Sequence, residues 1–568
     1  MTKKMLKINS NPSQPIENLS IGSIIEVDGV NIVAELDKSV KDLTRIFEGN
    51  TYYIGQFGSI IKIHFGRRIL YGYVSRLRMK SEIIDINLPT DNNDARIIEF
   101  SLFGEGEWHN QGGDWKMKFE RGISNFPLPL QKVYLTPTSE LKQIFTSAEE
   151  SENLIKIGTY SGTGGTVCLA DLNELLGKHS AILGSTGSGK SGAVTVLLKS
   201  IIDKKKDFDT WHPRIVILDP HNEYTTAFKE NCSSFSTDNG SLKLPYWLLS
   251  LEELCDLLLG KAEFTATTQK NIVKKALLEC RKKSALTLGI DEHKITIDSP
   301  IPYKISEFKD LIDQDREKLT ASKQDSYKSL LNKLDSLNDD ARYNFLMEDW
   351  KSEKDDVTEV IKQFISNDTS IHIIDLSGIP NEVAGIISSV IARTLFNFKV
   401  WETADERESN PILLVCEEAH RYVPNRGEAQ YQAAQEAIKR IAKEGRKYGL
   451  SLMLVSQRPS ELESTVLSQA NSWIVLRLTN ETDREYVKGI LPDSLTGLTK
   501  NLSGLRKREA IFVGLAALIP SKILLNFLNE DERPKSNDIN FIDGWKKKVY
   551  EDGQIEKIIN RWRLQTKE

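Results

Sequence analysis

The chain has 568 residues, 39% of them hydrophobic and 27% charged, and a formal net charge of -5. One hydrophobic core does not extend over such a length, so about three or four domains are expected. The composition is that of an ordinary soluble globular protein. The mildly acidic balance does not indicate a nucleic-acid-binding protein, although a ring or channel can concentrate basic groups locally.

Five scattered cysteines, with no C-x-x-C pair, favour a reducing, cytoplasmic location and argue against a zinc site. They are Cys168, Cys232, Cys255, Cys280 and Cys416. The opening segment MTKKMLKINSNPSQ has lysines but no apolar stretch, so no signal peptide is expected. No run approaches the roughly 18 apolar residues of a membrane span, so no membrane association is predicted.

After an expected tail over residues 1–20, residues 20–125 have the pattern of a small β-barrel. In IIEVDGVNIVAEL, apolar positions alternate on both sides of Asp28-Gly29, which is a strong hairpin signal. The stretches SIIKIHF, RRILYGYVSRLRM, EIIDINLP and ARIIEFSLFG follow as short strands. Short strands at this spacing favour a small barrel, and residues 126–178 are predicted to link it to the next domain.

From residue 179 onward, strands alternate with helices, which predicts a doubly wound α/β sheet. The strands are AILGS, RIVILDP, SIHIIDLSG, ILLVCEE, LSLMLVSQ, SWIVLRLT and AIFVG. They place an α/β core over residues 179–245 and 366–525, and the P-loop motif described next predicts that this core is of the RecA-like, P-loop NTPase type. Residues 246–365, rich in charge and in helical spacing, are predicted to be a helical insertion, and residues 526–568 a helical C-terminal tail.

The stretch GSTGSGKS follows the first strand of this core and precedes a helical run. The pattern G-x-x-x-x-G-K-[ST] in that setting is a P-loop, which binds the phosphates of ATP together with Mg²⁺. Its glycines allow successive N–H groups to converge on one anion. Lys190 is expected on the β- and γ-phosphates and Ser191 on Mg²⁺. The expected nucleotide contacts are Gly184, Ser185, Thr186, Gly187, Ser188, Gly189, Lys190, Ser191 and Gly192.

Two acids end the strand PILLVCEE. With a P-loop upstream, Glu417 is predicted in the Mg²⁺ shell and Glu418 as the base that activates the attacking water. The alternative is an ordinary strand end with solvated acids. Gln457, at the end of LMLVSQ, is expected to orient the γ-phosphate and its water, whereas the alternative is a polar strand terminus.

Three further positions are open on the sequence alone. Arg446, in KRIAKEGRKYG, is a candidate arginine finger for a neighbouring subunit, but a basic residue there also suits a helix C-terminus. Arg477, in WIVLRLTN, is a second candidate finger. Asp219 and His221, in ILDPHNEY, either lie behind the Mg²⁺ ligands or form a turn.

The ordered motifs AILGSTGSGKS, VILDPHNEY, a long helical insertion, LLVCEEAHRYVP, AKEGRKYGLSLMLVSQRPS and NSWIVLRLTN resemble the HerA branch of the HerA/FtsK ATPases. The resemblance covers about residues 20 to 525. It implies a homohexameric ring that threads double-stranded DNA and moves it by ATP hydrolysis, with the β-barrel as a docking face. Archaeal relatives act with the nuclease NurA, and bacterial relatives with a nuclease or a sirtuin-like NADase in defence against phage.

Residue by residue, the resemblance places Lys190 and Ser191 at the P-loop pair and Glu418 at the catalytic glutamate. Arg446 falls in the segment that carries the family's finger. Glu417 departs from the family, where many relatives have aspartate, but its longer side chain is still expected to reach the metal shell.

The surface that would contact DNA is not defined by a recognisable base-reading module. Arg421, Tyr422 and Arg426 follow the catalytic strand, where a loop facing a central pore would contact phosphates without regard to sequence. The alternative is a polar loop.

Two other functions fit the same motifs. The first is a soluble pump ATPase of a conjugation or secretion type of system, which shares the P-loop and the paired glutamates. The second is a hexameric platform whose ATP site regulates assembly. No second catalytic constellation is present, so any cutting activity is expected from a separate protein.

Overall fold

The structure is a computed structural model of the 568-residue chain. It describes residues 12–40, 42–79, 95–112, 114–146, 152–161, 165–208, 210–259, 263–350, 354–366, 368–425, 432–491, 499, 501–535, 541–546 and 553–564. The predicted strand EIIDINLP and the candidate DNA contact Arg426 lie outside the described residues.

The N-terminal part of the chain is a closed six-stranded barrel, as predicted. The strands described in this part of the chain, six of which form the barrel, are β1 (Ser20–Asp28), β2 (Asn31–Leu36), β3 (Thr44–Phe47), β4 (Asn50–Tyr53), β5 (Ile60–Phe65), β6 (Arg68–Met79), β7 (Arg96–Gln111), β8 (Asp114–Arg121) and β9 (Lys132–Leu135). Strands β2-β1-β9-β5-β6-β7 are paired in this order, and β7 pairs again with β2 to close the barrel. Strand β8 extends the sheet beyond β7, and β3 pairs with β4 alone. The β1–β2 hairpin forms at Asp28-Gly29 as expected.

The structure differs from the prediction over residues 126–178, which were expected to be only a linker. Strand β9 lies between β1 and β5 and completes the barrel. It has only four residues, and three of them are buried, so its pattern is too short to distinguish from a loop. Strands β10 (Leu154–Tyr160) and β11 (Val167–Asp171) form a hairpin at one edge of the second sheet.

The second sheet has eleven strands in the order β11-β10-β20-β19-β18-β12-β17-β16-β13-β15-β14. The strands not yet given are β12 (Ser180–Leu183), β13 (Arg214–Asp219), β14 (Cys232–Ser236), β15 (Ile371–Asp375), β16 (Ile412–Cys416), β17 (Leu450–Ser456), β18 (Ser472–Val475), β19 (Glu509–Gly514) and β20 (Ser521–Leu525). The seven strands from β18 to β14 are parallel, and the pairings beyond β18 are antiparallel. Strands β12, β13 and β15 to β18 consist largely of buried apolar residues and form the interior of an α/β core, whereas β14 is a half-buried edge strand.

The helices are α1 (Thr138–Thr146), α2 (Leu172–Gly177), α3 (Lys190–Asp203), α4 (Leu251–Leu259), α5 (Glu263–Thr287), α6 (Ile305–Glu317), α7 (Asp325–Asp339), α8 (Asn344–Met347), α9 (Val357–Ile365), α10 (Asn381–Trp401), α11 (Ala404–Ser409), α12 (Gln432–Glu444), α13 (Ser464–Ser468), α14 (Glu481–Ile490), α15 (Phe541–Trp545) and α16 (Gln554–Leu564). Helices α4 to α9 lie within the segment predicted to be a helical insertion. A buried ion pair fastens this insertion to α10: Arg393 donates to Glu253 at 2.8 Å, and the Glu253 side chain is only 2% exposed.

The barrel packs directly on the core. Arg121, at the end of β8, donates to the carbonyl oxygens of Gly514 at 2.8 Å and Leu518 at 3.1 Å, in the turn between β19 and β20. Tyr73 and Met117 of the barrel belong to the same apolar cluster as the central sheet. The barrel is therefore attached to the antiparallel side of the large sheet.

One described helical segment, Val383–Trp401 in α10, is long and apolar enough to cross a membrane by length and composition. However, 72% of its window is buried inside the protein. Its apolar stripe packs as a core helix does, so the segment is weak evidence for a membrane span.

We predict that Glu140→Ala destabilises the barrel. Lys62 of β5 and Tyr71 of β6 donate to the two carboxylate oxygens of Glu140 on α1, at 2.5 and 2.6 Å, and the side chains of the ion pair are 2% and 7% exposed. Removing the carboxylate leaves a buried ammonium group unpaired, which costs about 3–5 kcal/mol. Chemical denaturation followed by circular dichroism should show a lower midpoint for the barrel transition.

The control is Glu17→Ala, because Glu17 forms an ion pair with Lys132 in which both side chains are more than half exposed; little change is expected there. The triple variant Lys62→Met, Glu140→Leu, Tyr71→Phe should recover stability, because apolar side chains replace both the ion pair and the hydroxyl that donates to it. A triple variant no more stable than Glu140→Ala would contradict this account.

Candidate active site

The loop between β12 and α3 has a backbone that only glycine adopts easily. Gly187 and Gly189 have φ angles of 71° and 101°, in the region that side chains with a Cβ avoid. A Cβ on Gly184 would lie 2.5 Å from Oγ of Ser188. The glycine spacing of the P-loop is thus a steric requirement of this turn.

Hydrogen bonds to the neighbouring strand ends hold the loop in place. The N–H of Ser185 donates to the carbonyl oxygen of Arg477 at 2.9 Å, and its Oγ accepts from the N–H of Thr479 at 3.0 Å. The N–H of Gly184 donates to the carbonyl oxygen of Ser456 at 3.2 Å. Because the loop is already ordered by these bonds, the N–H groups of the first turn of α3, which lack intrahelical partners, form a preformed anion site.

Lys190 begins α3 and is 7% exposed. Burial raises the pKa of both glutamates at the end of β16, Glu417 and Glu418, and the ammonium charge of Lys190 opposes that rise. The P-loop lysine and the two acids predicted from separate motifs therefore lie in one electrostatic site.

Glu417 follows β16 and is 2% exposed. Its pKa is raised to about 8, mainly by burial and also by the carboxylates of Glu418 and Glu223, while the hydrogen bond from Tyr224 and the charge of Lys190 oppose the rise. The hydroxyl of Tyr224 donates to its Oε2 at 2.5 Å. The sequence analysis did not assign a role to Tyr224, although it lies within the stretch ILDPHNEY; a tyrosine there is also an ordinary core residue.

Glu418 has a left-handed backbone conformation, with φ of 51°, which is uncommon outside glycine and is found at functional sites. Burial raises the pKa of its carboxyl, while Lys190 and the backbone N–H of Gln457 lower it. Among the residues that the structure describes, its Oε2 is buried without a hydrogen-bond partner. A buried carboxylate oxygen in this state fits a general base that holds a water molecule.

Nδ1 of His420 lies 3.2 Å from Oε2 of Glu418. The two groups do not form an ion pair at neutral pH, since burial lowers the pKa of His420 to about 4. Neutral His420 leaves the charge of Glu418 to be balanced by Lys190.

Gln457 follows β17 and contacts the P-loop: its Oε1 accepts from the hydroxyl of Thr186 at 2.5 Å. The structure thus brings Gln457 to the phosphate loop, as expected from the sequence. Its role toward the γ-phosphate stays a prediction.

Asp219 and His221 form a turn. The buried Asp219 carboxylate accepts from the N–H groups of His221 and Tyr224, both at 3.1 Å. Burial raises the pKa of Asp219 to about 6. By ordering this turn, Asp219 positions Tyr224 against Glu417, while the side chain of His221 is exposed.

The two candidate arginine fingers lie at opposite ends of the parallel strands. Arg477 follows β18 beside this chain's own P-loop, and its Nε is buried without a partner among the described residues. Arg446 is exposed in the turn Gly445–Tyr448, just before β17 begins. Strand β17 has seven residues, so Arg446 is roughly 20 Å from the P-loop edge. Arg446 does not reach the nucleotide site of its own chain.

For Tyr422, the structure supports neither of the two alternatives that the sequence left open, a pore-facing contact or a polar loop. Tyr422 is 2% exposed and packs in the core behind β16. Arg421 is only partly exposed. The aromatic side chain after the catalytic acids therefore supports the strand end and is not available to DNA.

These residues fit ATP and Mg²⁺. The orphaned Oγ of Ser188 and Oε2 of Glu418 are polar atoms that a bound triphosphate and its water would satisfy. In the described part of the chain, no group of three or more His, Cys, Asp or Glu is arranged around a metal. Magnesium usually takes one or two protein ligands beside phosphates and waters, which suits Ser191 and Glu417.

Comparison with known proteins gives concordant matches. A family model described as "Helicase HerA, central domain" matches residues 155–395. The probable helicase MJECL08 of Methanocaldococcus jannaschii is 29% identical over 409 residues, 69% of this chain and 73% of the relative. The DNA double-strand break repair helicase HerA of Pyrococcus furiosus is 27% identical over 449 residues, 69% of this chain and 74% of the relative. VirB4 of Thermoanaerobacter pseudethanolicus aligns with a TM-score of 0.48 at 17% identity, covering 67% of this chain and 98% of that one.

We predict that Glu417 makes the nucleotide-free protein less stable as pH rises. Its pKa is raised from 4.5 to about 8 on folding, so the folded chain keeps a proton that the unfolded chain releases. Because folding takes up this proton, folding becomes less favourable as the proton concentration decreases. The free energy of unfolding therefore falls as pH rises from about 4.5 to 8.

Thermal unfolding in a metal chelator, from pH 5 to 8, should therefore show Glu417→Gln gaining stability relative to the unsubstituted protein as pH rises. Glu230→Gln is the control, because Glu230 is an exposed acid in the same part of the chain. Curves that stay parallel for Glu417→Gln across this window would contradict the prediction.

Proposed function

This chain belongs to the HerA family, and we propose that it is an ATPase that couples ATP hydrolysis to movement along double-stranded DNA. The observation that carries this proposal is the convergence, at one sheet edge, of the P-loop lysine with the buried carboxylate of Glu418, whose Oε2 has no hydrogen-bond partner among the described residues. The relative from P. furiosus is named a DNA double-strand break repair helicase, which supports DNA as the track.

The residues have separate tasks in this proposal. The N–H groups of the P-loop and the Lys190 ammonium bind the triphosphate and stabilise the charge that develops on it. Ser191 and Glu417 would hold Mg²⁺, which would further neutralise that charge. Glu418 accepts the proton of the attacking water, and Gln457 orients that water from its position on Thr186.

We further propose that the active assembly is a homohexameric ring. Arg446 is exposed at the edge of the sheet opposite the P-loop. A guanidinium in that place reaches a γ-phosphate only if the next subunit presents its P-loop edge to it. The arginine of one subunit then completes the site of its neighbour.

Within the proposal, a separate nuclease or sirtuin-like NADase acts on or near the DNA that the ring moves, in DNA end processing or antiphage defence. The barrel is the docking face in this arrangement. Its exposed loop over residues 126–130 carries Phe126, Leu128 and Leu130, which are 46%, 63% and 83% exposed. Contiguous exposed apolar side chains are typical of protein-protein contact sites.

We predict that Glu418→Gln removes hydrolysis and retains nucleotide binding. Loss of the general base should lower kcat by roughly 10²- to 10⁴-fold, while Lys190 and the P-loop remain intact. Steady-state ATP hydrolysis should be stimulated several-fold by linear double-stranded DNA in the unsubstituted protein and not in the variant.

The control is Glu461→Gln, an exposed acid close in the chain to Gln457 that pairs with Arg458; it should keep DNA-stimulated hydrolysis. Hydrolysis that is robust but indifferent to DNA would contradict a DNA motor. It would favour a pump ATPase or an ATP-regulated assembly platform.

We predict that Arg446 acts in the neighbouring subunit's site. Arg446→Ala should lower kcat by roughly 10³- to 10⁵-fold if the guanidinium stabilises the transition state. Lys447→Ala, in the same exposed turn, is the matched control and should remain active.

Mixing the inactive Arg446→Ala and Glu418→Gln proteins tests the trans arrangement. In mixed rings, some sites combine an intact Glu418 from one chain with an intact Arg446 from the next, so hydrolysis should partly return. If hydrolysis does not recover in rings shown to be mixed, the trans role of Arg446 is contradicted. Arg477 then becomes the candidate finger to test.

A further inference from the structure

A second cluster of side chains lies at the P-loop edge of the sheet, on the side away from Glu418. It consists of Phe527, Arg508 and Arg533 and is called the aromatic cluster below. Strands β18, β19 and β20 pair antiparallel, so β19 begins, and β20 ends, at the edge where β12 ends. Glu418 follows β16, which lies on the other side of β12.

Arg508 lies directly beside the P-loop. Its backbone nitrogen would be 4.0 Å from a Cβ placed on Gly189, the residue that caps α3. Its φ of 70° is a left-handed conformation, which costs a non-glycine residue energy and is retained where the surroundings require it. Its Nη2 donates to the carbonyl oxygen of Leu525 at 2.7 Å, so the guanidinium is held in place.

Phe527 is 61% exposed, two residues beyond β20. The Cζ atoms of Arg508 and Arg533 lie 5.2 and 5.1 Å from the centre of its ring, within the range of cation–π attraction. Nε of Arg533 donates to the carbonyl oxygen of Leu528 at 3.1 Å. The ring is thus fixed by two anchored arginines but is not buried by the core.

The segment that carries Phe527 is tied to the helix behind the P-loop. The N–H of Asn526 donates to the carbonyl oxygen of Ile157 at 3.0 Å, and Lys199 of α3 forms an ion pair with Glu532 at 2.9 Å. Since the segment is fastened on both sides of Phe527, the ring keeps a defined position relative to α3 and the phosphate loop.

We propose that Phe527 is the stacking surface for the base of the bound nucleotide, with Arg508 and Arg533 holding its ring. This rests on the proposed function, in which the γ-phosphate lies toward Glu418. The other end of the nucleotide then extends to the opposite side, where β18 to β20 end. Stacking on an aromatic ring uses the π-face that every base has, so this subsite binds the base without strong selection among the four.

The test compares a ligand that has a base with one that lacks it. Calorimetric titration of Phe527→Ala with ATPγS should show an affinity roughly 5- to 150-fold weaker than that of the unsubstituted protein, as expected for loss of base stacking. The affinity for inorganic tripolyphosphate should be unchanged, and Phe527→Trp should keep both affinities. In hydrolysis assays KM should rise while kcat is retained.

Tyr53→Ala is the matched control, because Tyr53 is also 61% exposed but lies on the barrel; it should alter neither affinity. An unchanged ATPγS affinity in Phe527→Ala, or a parallel loss for both ligands, would overturn the base subsite. An unsubstituted protein that binds neither ligand would overturn the proposed ATPase function itself, so the two failures are distinguishable.

Discussion

The active site depends above all on the parallel register of three neighbouring strands. Leu183 of β12 pairs with Ser456 of β17, and Cys416 of β16 pairs with Leu454 of the same strand. The residue after each strand end is therefore a candidate site residue: Gly184 opens the P-loop, Gln457 accepts from Thr186, and Glu417 begins the acidic pair. A slip of one residue would reverse the faces of a strand and move these groups out of reach of one another.

The antiparallel part of the sheet adds a second set of groups at the same edge. Because β18 ends beside the P-loop and β19 returns from there, the carbonyl oxygen of Arg477 holds Ser185, and Arg508 borders Gly189. One side of the loop thus carries the acids and the other carries cations and an exposed ring. Because the strand direction divides the groups in this way, the two ends of a bound nucleotide would have chemically different surroundings.

Much of the core follows from the sequence, because buried parallel strands are continuous apolar runs and the P-loop has a strict glycine pattern. The predictions fail where a role depends on tertiary position. Strand β9 is only four residues long, so only closure of the barrel identifies it as a strand. Tyr422 sits in a polar-looking stretch but packs under β16, and Tyr224 is recognisable as a partner of Glu417 only once β13 and β16 are adjacent. Phe527 has no sequence signal, since one exposed aromatic residue near the end of a strand is unremarkable.

The separation of Arg446 from the P-loop also constrains the proposed assembly. In a two-fold symmetric dimer, residue i of one subunit contacts residue j of the other and j contacts i, so two sites completed in trans would need both edges of the sheet, roughly 20 Å apart, within one patch. A contact between the edge that carries Arg446 and the edge that carries Lys190 is head-to-tail, and repetition of such a contact closes into a ring when the rotation per subunit allows it. The proposed trans site and the proposed ring therefore support each other: a head-to-tail contact between the edge that carries Arg446 and the P-loop edge of the next subunit, repeated around a closed ring, lets every subunit both give and receive the arginine.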